Sequence, residues 1–306
     1  MAERDRTASL REVLAKLDRT PGTIREAILW AEQELAAAKV DAPRLSAELL
    51  ASLFLGLSRL GLIMREKDRL EGEQLAAFRG LVARRAGGEP VAYILGEKEF
   101  FGLAFRVTPN VLIPRPETEL IVEQAQRLFA PDAAFSFADF GTGSGCLAVT
   151  LAHVFPRARG LAVDLSGQAL EVARGNASSH SVDGRLEFLC ADFTRLTLTP
   201  GSLDLIVANP PYVSESEYAA LPAEVRVFEP REALESAEEG LWHLQALLPV
   251  AVSALRPGGT LLCELGCDQG PRGLALAQNN ALGLVKAVIL RDYAGLDRIL
   301  FATKAA

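Results

Sequence analysis

Residues that bind soft metals are scarce in this sequence: four cysteines and three histidines in 306 residues. Cys146, Cys190, Cys263 and Cys267 are scattered through apolar or glycine-rich runs, in a chain too long to need disulfide staples, and they read as reduced thiols. Cys263 and Cys267 lie close in sequence, but no second cysteine or histidine pair flanks them. His153, His180 and His243 are isolated, so no zinc site is expected. An excess of positive charge is also missing. Lys and Arg number 32 against 39 Asp and Glu, which gives a net charge of -7. A protein that grips a nucleic-acid backbone displaces its counterions with basic surface, so this balance leans away from DNA or RNA as substrate. No apolar run is long enough to cross a bilayer. The opening residues, with Glu3 and Asp5 among arginines, lack the apolar core of a secretory signal, so a cytoplasmic protein without a membrane partner is expected. No internal repeat or low-complexity segment is present.

What is present suits a soluble globular protein: 49% hydrophobic and 23% charged residues, at a length that favours a large domain plus a smaller one. From Thr7 to Arg85 apolar residues recur at helical spacing, as in Leu10, Val13, Leu14 and Leu17 and then Ile24, Ala27, Ile28 and Ala31. Thr23 with Glu26 has the form of a capping box, Pro43 stands where a helix would begin, and Gly87 and Gly88 stop the last helix. A helical domain over 1–86 follows. The stretch Val91–Pro114 changes texture, rich in Tyr, Ile, Phe and Val and broken by Gly96 and Gly102, which predicts a β-hairpin connector over 87–113. In the remaining domain, 114–306, short apolar strands at Phe135–Asp139, Arg159–Asp164, Leu186–Leu189, Leu203–Ala208, Thr260–Glu264 and Val285–Leu290 mostly alternate with helical stretches. The fold class is therefore α/β, with a mostly parallel sheet covered on both faces.

Such sheets bind ligands beyond the carboxyl ends of their strands. After the first strand comes Asp139-Phe140-Gly141-Thr142-Gly143-Ser144-Gly145, with a helix starting near Cys146. Glycines here let the backbone approach a ligand while the helix N-terminus offers its free N–H groups. A dinucleotide loop would read G-x-G-x-x-G; the third glycine comes one residue early, which suits a nucleoside without a pyrophosphate. Asp164 ends the second strand and can accept from ribose hydroxyls, and Asp192-Phe193 after the third can hydrogen-bond and stack on an adenine. The alternatives are a glycine turn that packs helix on strand, Asp164 as a helix cap, and a solvated Asp192 beside a core Phe193.

The strongest signal is Asn209-Pro210-Pro211-Tyr212 directly after the strand Leu203–Ala208. The prolines fix the backbone and donate nothing, so the Asn209 side chain and the Pro210 carbonyl can act together as acceptors for one NH₂ group, while Tyr212 stacks on a planar conjugated group. An amide nitrogen is a poor nucleophile because its lone pair is delocalised. Directing both N–H bonds to acceptors aims the nitrogen at an activated methyl group, and no base is needed before attack. The same clamp serves adenine-N6 DNA methyltransferases acting on a flipped base. The acidic charge and the lack of a basic target-recognition domain weigh against that reading and against an RNA methyltransferase.

With these elements, and with Glu99-Phe100, Ile113-Pro114-Arg115-Pro116-Glu117-Thr118-Glu119, Glu229-Pro230-Arg231, Pro257-Gly258-Gly259, Glu264-Leu265-Gly266 and Asp292-Tyr293-Ala294-Gly295, the chain resembles the HemK/PrmC family of protein-glutamine methyltransferases over nearly its whole length. The resemblance implies a Rossmann-like seven-stranded sheet with one antiparallel strand at its edge. It also implies S-adenosyl-L-methionine as cofactor and S-adenosyl-L-homocysteine as product. The substrate would be the glutamine of the Gly-Gly-Gln loop of bacterial peptide-chain release factors, methylated on N5 and docked by the helical domain. A ribosomal protein is the alternative acceptor. The cofactor set would be Gly141, Thr142, Gly143, Ser144, Gly145, Asp164, Asp192, Phe193 and Asn209. Asn209, Pro210 and Tyr212 would carry catalysis, with Pro211, Phe100, Arg115 and Glu119 also bordering the substrate. Two departures stand out: Phe193 where some relatives carry tryptophan, and Glu235-Ser236-Ala237-Glu238 in place of a more glycine-rich turn, which is expected to alter a surface loop.

Overall fold

The computed structural model describes residues 22–279 and 283–306, so the helical spacing of Leu10 to Leu17 lies outside the described residues. The chain divides into two units, one running to Leu95 and the other from Gly96 onward.

The first unit is helical: α1 (Ile24–Ala37), α2 (Pro43–Leu55), α3 (Arg59–Met64), α4 (Gly72–Ala86) and α5 (Val91–Leu95). Helix α1 buries Ile24, Ala27, Ile28, Ala31 and Leu35, the stripe that 3.6-residue periodicity demands. Thr23 caps it by accepting the Glu26 N–H at 3.3 Å, while the Glu26 carboxylate reaches past the cap to the Gly22 N–H at 2.8 Å. Pro43 opens α2. At the end of α4 the left-handed residue is Gly88, at φ 92, and Gly87 stays at φ -73. Residues 91–95 are helical and do not begin the hairpin. Pro90 starts the turn, its carbonyl accepting from Tyr93 and Ile94, and Ile94 is buried in the helical core with Phe78 and Leu50.

The second unit opens with the expected hairpin, β1 (Glu97–Phe100) and β2 (Leu103–Arg106). Its two-residue turn sets both Phe101 (φ 52) and Gly102 (φ 74) left-handed, as the strand twist requires. Then come α6 (Glu119–Leu128), β3 (Ser136–Phe140), α7 (Cys146–Val154), β4 (Arg159–Asp164), α8 (Gly167–Ser179), β5 (Leu186–Cys190), β6 (Leu203–Ala208), α9 (Glu215–Ala220), α10 (Ala223–Phe228), α11 (Trp242–Ala254), β7 (Leu255–Glu264), α12 (Gly270–Ala277), β8 (Leu284–Arg291) and β9 (Asp297–Lys304). The seven-stranded sheet has the order β5-β4-β3-β6-β7-β9-β8.

Side-chain alternation along the strands builds two cores. Phe137, Ala162, Leu205, Val207, Leu262 and Ile299 face one way, against α6, α7 and α8. Their neighbours Ala138, Val163, Ile206, Ala208, Leu261 and Leu300 face the other, against α11 and α12. The antiparallel strand does not lie at the edge as the resemblance implies. It is β9, antiparallel to both β7 and β8 and enclosed between them. Burial explains the exchange: β9 brings Ile299, Leu300 and Ala302 to no exposure at all, whereas β8 leaves Val285 and Val288 almost half exposed and so suits the rim. No helix among the described residues is long and apolar enough to cross a membrane.

Two glycines give opposite expectations. A methyl group at Gly160 of β4 would stand 2.3 Å from the ring of Phe137, whereas one at Gly175 in α8 would meet nothing within 4 Å. Gly160→Ala should lose about 1–3 kcal/mol of unfolding free energy, since a packed core yields little. Gly175→Ala should gain about 0.5–1 kcal/mol. Urea unfolding of the two variants measures both.

Candidate active site

Parallel pairing sets Phe140 opposite Ala208, Asp164 opposite Cys190 and Ala208 opposite Cys263, so these strands end at one rim. The strand order reverses between β3 and β6, which opens a crevice there. It holds a cavity of about 570 Å³. Its lining includes Gly141, Thr142, Gly143 and Ser144 of the loop, Asp164, Asp192 and Phe193 after the next two strands, and Asn209, Pro211 and Arg115.

The loop is fixed by backbone bonds. The Gly141 and Thr142 N–H groups both donate to the Val163 carbonyl, at 2.9 and 3.0 Å, and Gly143 N–H donates to Asp164 Oδ2 at 2.8 Å. Gly141 and Gly143 are left-handed, at φ 73 and 55, and a methyl on either would meet no protein atom nearer than 4.0 Å. The room they leave is therefore cavity. Asn176 anchors the loop from behind: its amide donates to Ser144 O at 2.8 Å and to Arg106 O at 3.0 Å, tying the loop to the hairpin.

Asp139, 1% exposed, is the last residue but one of β3, just before this loop. Its Oδ2 accepts from the Thr142 hydroxyl at 2.6 Å and the Ala148 N–H at 3.1 Å, while Oδ1 is buried with no partner. Burial, only partly offset by those bonds, raises its pKa from 3.8 to about 7. Asp164 spends Oδ1 on the Ser166 N–H at 2.9 Å, so it also braces the start of α8, and burial pushes its pKa up. Asp192 accepts from the Thr194 N–H at 2.9 Å, and the Thr194 hydroxyl holds its pKa below the usual carboxylate range. Phe193 stacks on Phe140 at 5.7 Å between centroids. His243, isolated in the sequence, also lines the cavity, 6.2 Å from Phe193, and burial lowers its pKa.

Asn209 follows β6 directly and gives an amide N–H to Thr118 Oγ1 at 3.0 Å. Thr118 donates its hydroxyl to Glu264 Oε2 at 2.6 Å, and the Tyr212 phenol donates to Glu264 Oε1 at 3.2 Å. The Tyr212 carbonyl accepts from Gln269 Nε2 at 2.8 Å. Gly240 (φ 84) packs so tightly that a methyl there would lie 2.1 Å from that carbonyl. Arg115 pairs with the buried Glu229 at 2.6 Å, and Glu229 also accepts the Ile113 N–H at 3.1 Å, which ties this segment to the rim.

Five of the expected residues stand off the cavity wall. Gly145 caps α7, and its missing side chain lets Ala173 of α8 approach to 3.0 Å of where a methyl would sit. Phe100, an apolar ring with no polar handle, is drawn into the core 6.0 Å from Phe105. Glu119 accepts the Phe101 N–H at 2.9 Å and steadies the hairpin turn. Pro210 is buried, and the Tyr212 phenol is engaged by Glu264. The Glu235–Glu238 segment is more than a surface loop, since Ser236, 2% exposed, bonds His243 Nδ1 at 2.8 Å. Asp139, Thr118, Glu229, His243 and Glu264 are additions. Glu264 ends β7 as Asp164 ends β4, so the strand-end rule that selects Asp164 selects it too.

Residues 26–96 match the PrmC N-terminal domain and residues 118–239 the Methyltransferase small domain. A release factor glutamine methyltransferase of Nitratidesulfovibrio vulgaris is 47% identical over 92% of this chain and 95% of its own length. One from Moorella thermoacetica is 43% identical over 92% and 98%. Among solved structures, the catalytic domain of hMettl16, in complex with the MAT2A 3′UTR hairpin 6, covers 78% of this chain and 85% of that one at 15% identity and a TM-score of 0.54, a likeness of fold alone. Alignment over nine-tenths of its length with such relatives, and the match of both domains, place this chain in the release factor glutamine methyltransferase family.

Proposed function

We propose that this chain transfers a methyl group from S-adenosyl-L-methionine to N5 of the glutamine in the Gly-Gly-Gln loop of bacterial peptide-chain release factors. One observation carries the reading: Asn209 and Pro211 share a single cavity with Gly141–Ser144. When bound, the cofactor supplies a methyl group on a positively charged sulfur. The residues present fit it. Gly141 and Gly143 leave the space, Asp164 and Asp192 stand at strand ends for hydroxyl and amine donors, and the unpartnered Asp139 Oδ1 suits an ammonium group.

For the acceptor, Asn209 Oδ1 takes an N–H of the glutamine amide and aims its nitrogen at the methyl, while the Pro210 carbonyl, expected as the second acceptor, stands off the cavity wall. Asn209 keeps the amide in place while that nitrogen takes the methyl from the cofactor, held by the loop and strand-end residues and released as S-adenosyl-L-homocysteine, and the displaced proton passes to water. Recognition of the whole factor falls to the helical unit, which carries none of the cavity residues. The experiment is direct: labelled S-adenosyl-L-methionine offered with release factor, ribosomal proteins and DNA should label the release factor alone.

Asn209→Ala is expected to cut turnover by about 10²–10³-fold, as loss of one preorganised polar partner does, while calorimetry finds S-adenosyl-L-homocysteine affinity nearly unchanged. Near-normal turnover would sink the clamp.

Asp139 links pH to both binding and stability. With a folded pKa of about 7 against an ordinary 3.8, the folded protein holds a proton between those pH values that the unfolded chain releases. Folding is thus helped by acid across that window and penalised above pH 7, where an ionised carboxylate must stay buried. Asp139→Asn keeps both accepted hydrogen bonds, so Tm at pH 8 should rise by about 2–5 °C, with the gain shrinking below pH 7. The same variant should lose about 1–3 kcal/mol of affinity for S-adenosyl-L-homocysteine at pH 8. Wild-type affinity should fall as pH drops below 7, and the variant's should stay flat.

Removing residues 1–95 should leave S-adenosyl-L-homocysteine binding measurable by calorimetry but lower kcat/KM on whole release factor by about 10²-fold or more, because remote binding energy positions a weak nucleophile. An unchanged kcat/KM would refute the docking role.

A further inference from the structure

Glu264 is 1% exposed and lies off the cavity wall, yet it holds both ends of the Asn209–Tyr212 tetrapeptide. It holds Tyr212 through the phenol and Asn209 through Thr118, itself 2% exposed. A threonine hydroxyl carries one proton and two lone pairs. Glu264 Oε2, 2.6 Å away, takes the proton, so only lone pairs remain for Asn209, which answers with an N–H at 3.0 Å. The amide is thereby committed: its nitrogen faces Thr118 and its oxygen is turned away from it.

An asparagine amide is nearly symmetric in shape, so packing alone discriminates poorly between its two orientations. In the reversed orientation Asn209 would present NH₂ to the NH₂ of the substrate, donor against donor. Directed polarity is thus what makes the clamp an acceptor. The charge state of Glu264 matters to it, because a protonated carboxyl could donate to Thr118 and free the hydroxyl proton to turn toward Asn209. Burial, with a smaller contribution from the charge of Glu117, raises the Glu264 pKa on balance, and the Thr118 hydroxyl, the Arg298 guanidinium and the Tyr212 phenol offset only part of that rise. Arg298 is itself held by Asp292 at 3.1 Å.

We propose that Glu264, acting through the Thr118 hydroxyl, sets the orientation of the Asn209 amide so that its oxygen meets the substrate N–H. Thr118 and Glu264 are positioning residues in this scheme, which rests on the glutamine-methylation reading and adds the origin of its polarity. No proton is transferred along the relay; it acts by fixing hydrogen-bond direction.

The test compares Thr118→Val, which keeps the shape and removes the hydroxyl, with Thr118→Ser, which restores it. With release factor as substrate, Thr118→Val should lower kcat by about 10²-fold, approaching the loss of one preorganised group, while KM for release factor and the affinity for S-adenosyl-L-homocysteine each stay within about threefold. Thr118→Ser should return kcat to within about threefold of wild type. Thermal melts identify any variant that fails to fold; should Thr118→Val do so, Thr118→Ala, which also lacks the hydroxyl, is compared with Thr118→Ser in its place, with the same outcomes. Near-wild-type kcat in Thr118→Val overturns the relay, as does a Ser variant no better than the Val variant, which would make the role one of shape. If wild-type enzyme leaves release factor unlabelled, the substrate reading fails by itself. The same variants are then read on the acceptor that does take the label, where an unchanged kcat in Thr118→Val overturns the relay and a loss rescued by Ser supports it.

Discussion

The parallel ladder between β3 and β6 is the constraint on which the site depends. It sets Phe140 beside Ala208, so the first residues to leave the two strands, Gly141 and Asn209, emerge together at one rim. From that point the chain runs to opposite sides, β4 and β5 outward from β3 and β7 outward from β6. The crevice between the diverging connections is where the glycine loop and the Asn-Pro-Pro-Tyr element meet. A slip of one residue in this register would turn both cores inside out, because neighbouring side chains on each strand serve opposite faces. The geometry of the crevice and the stability of the sheet therefore rest on the same hydrogen bonds.

Around that crevice the protein buries carboxylates, and each does different work. Glu229 is paired with Arg115 and holds the rim segment closed. Glu264 accepts hydrogen bonds from the Thr118 and Tyr212 hydroxyls and so ties together the segments around the Asn-Pro-Pro-Tyr element. Asp139 is only half satisfied, with Oδ2 capping the start of α7 and Oδ1 left without a partner. Buried acid groups cost folding free energy unless bonded. The least satisfied of the three is the one on the cavity wall, where a ligand of opposite charge can complete it. On the proposed reading, stability given up in the free protein is returned as affinity in the complex.

Much of this was legible in the chain. Strand positions followed from short apolar runs, and the bounds of Arg159–Asp164 and Leu203–Ala208 agree with those of β4 and β6. The hairpin was announced by Gly102, and the ligand loop by glycines whose left-handed φ few other residues tolerate. Less legible was anything depending on which apolar run outcompetes another. Residues 91–95 carry β-favouring side chains but lie after Pro90 and beside the helical core, and burial of Ile94 there decides for helix. The exchange of β8 and β9 at the sheet edge is of the same kind. Both runs are strand-like, and only their competition for the interior sets which lies inside.

The sequence by itself determined the fold class, the glycine loop and its following acids, and the Asn-Pro-Pro-Tyr element, because each is a short-range pattern whose backbone requirements its own residues satisfy. The tertiary structure alone decided which of those residues reach the cavity. Phe100 and Gly145 were claimed by packing, Glu119 by a backbone N–H, and the Tyr212 phenol by Glu264, none of which is a neighbour in sequence. It also supplied the hydrogen-bond chain to Asn209, since Thr118 lies 91 residues before it in sequence and Glu264 lies 146 residues after Thr118. Hydrogen-bond polarity belongs to groups brought within 3 Å or so of one another, and only the packed sheet brings these together.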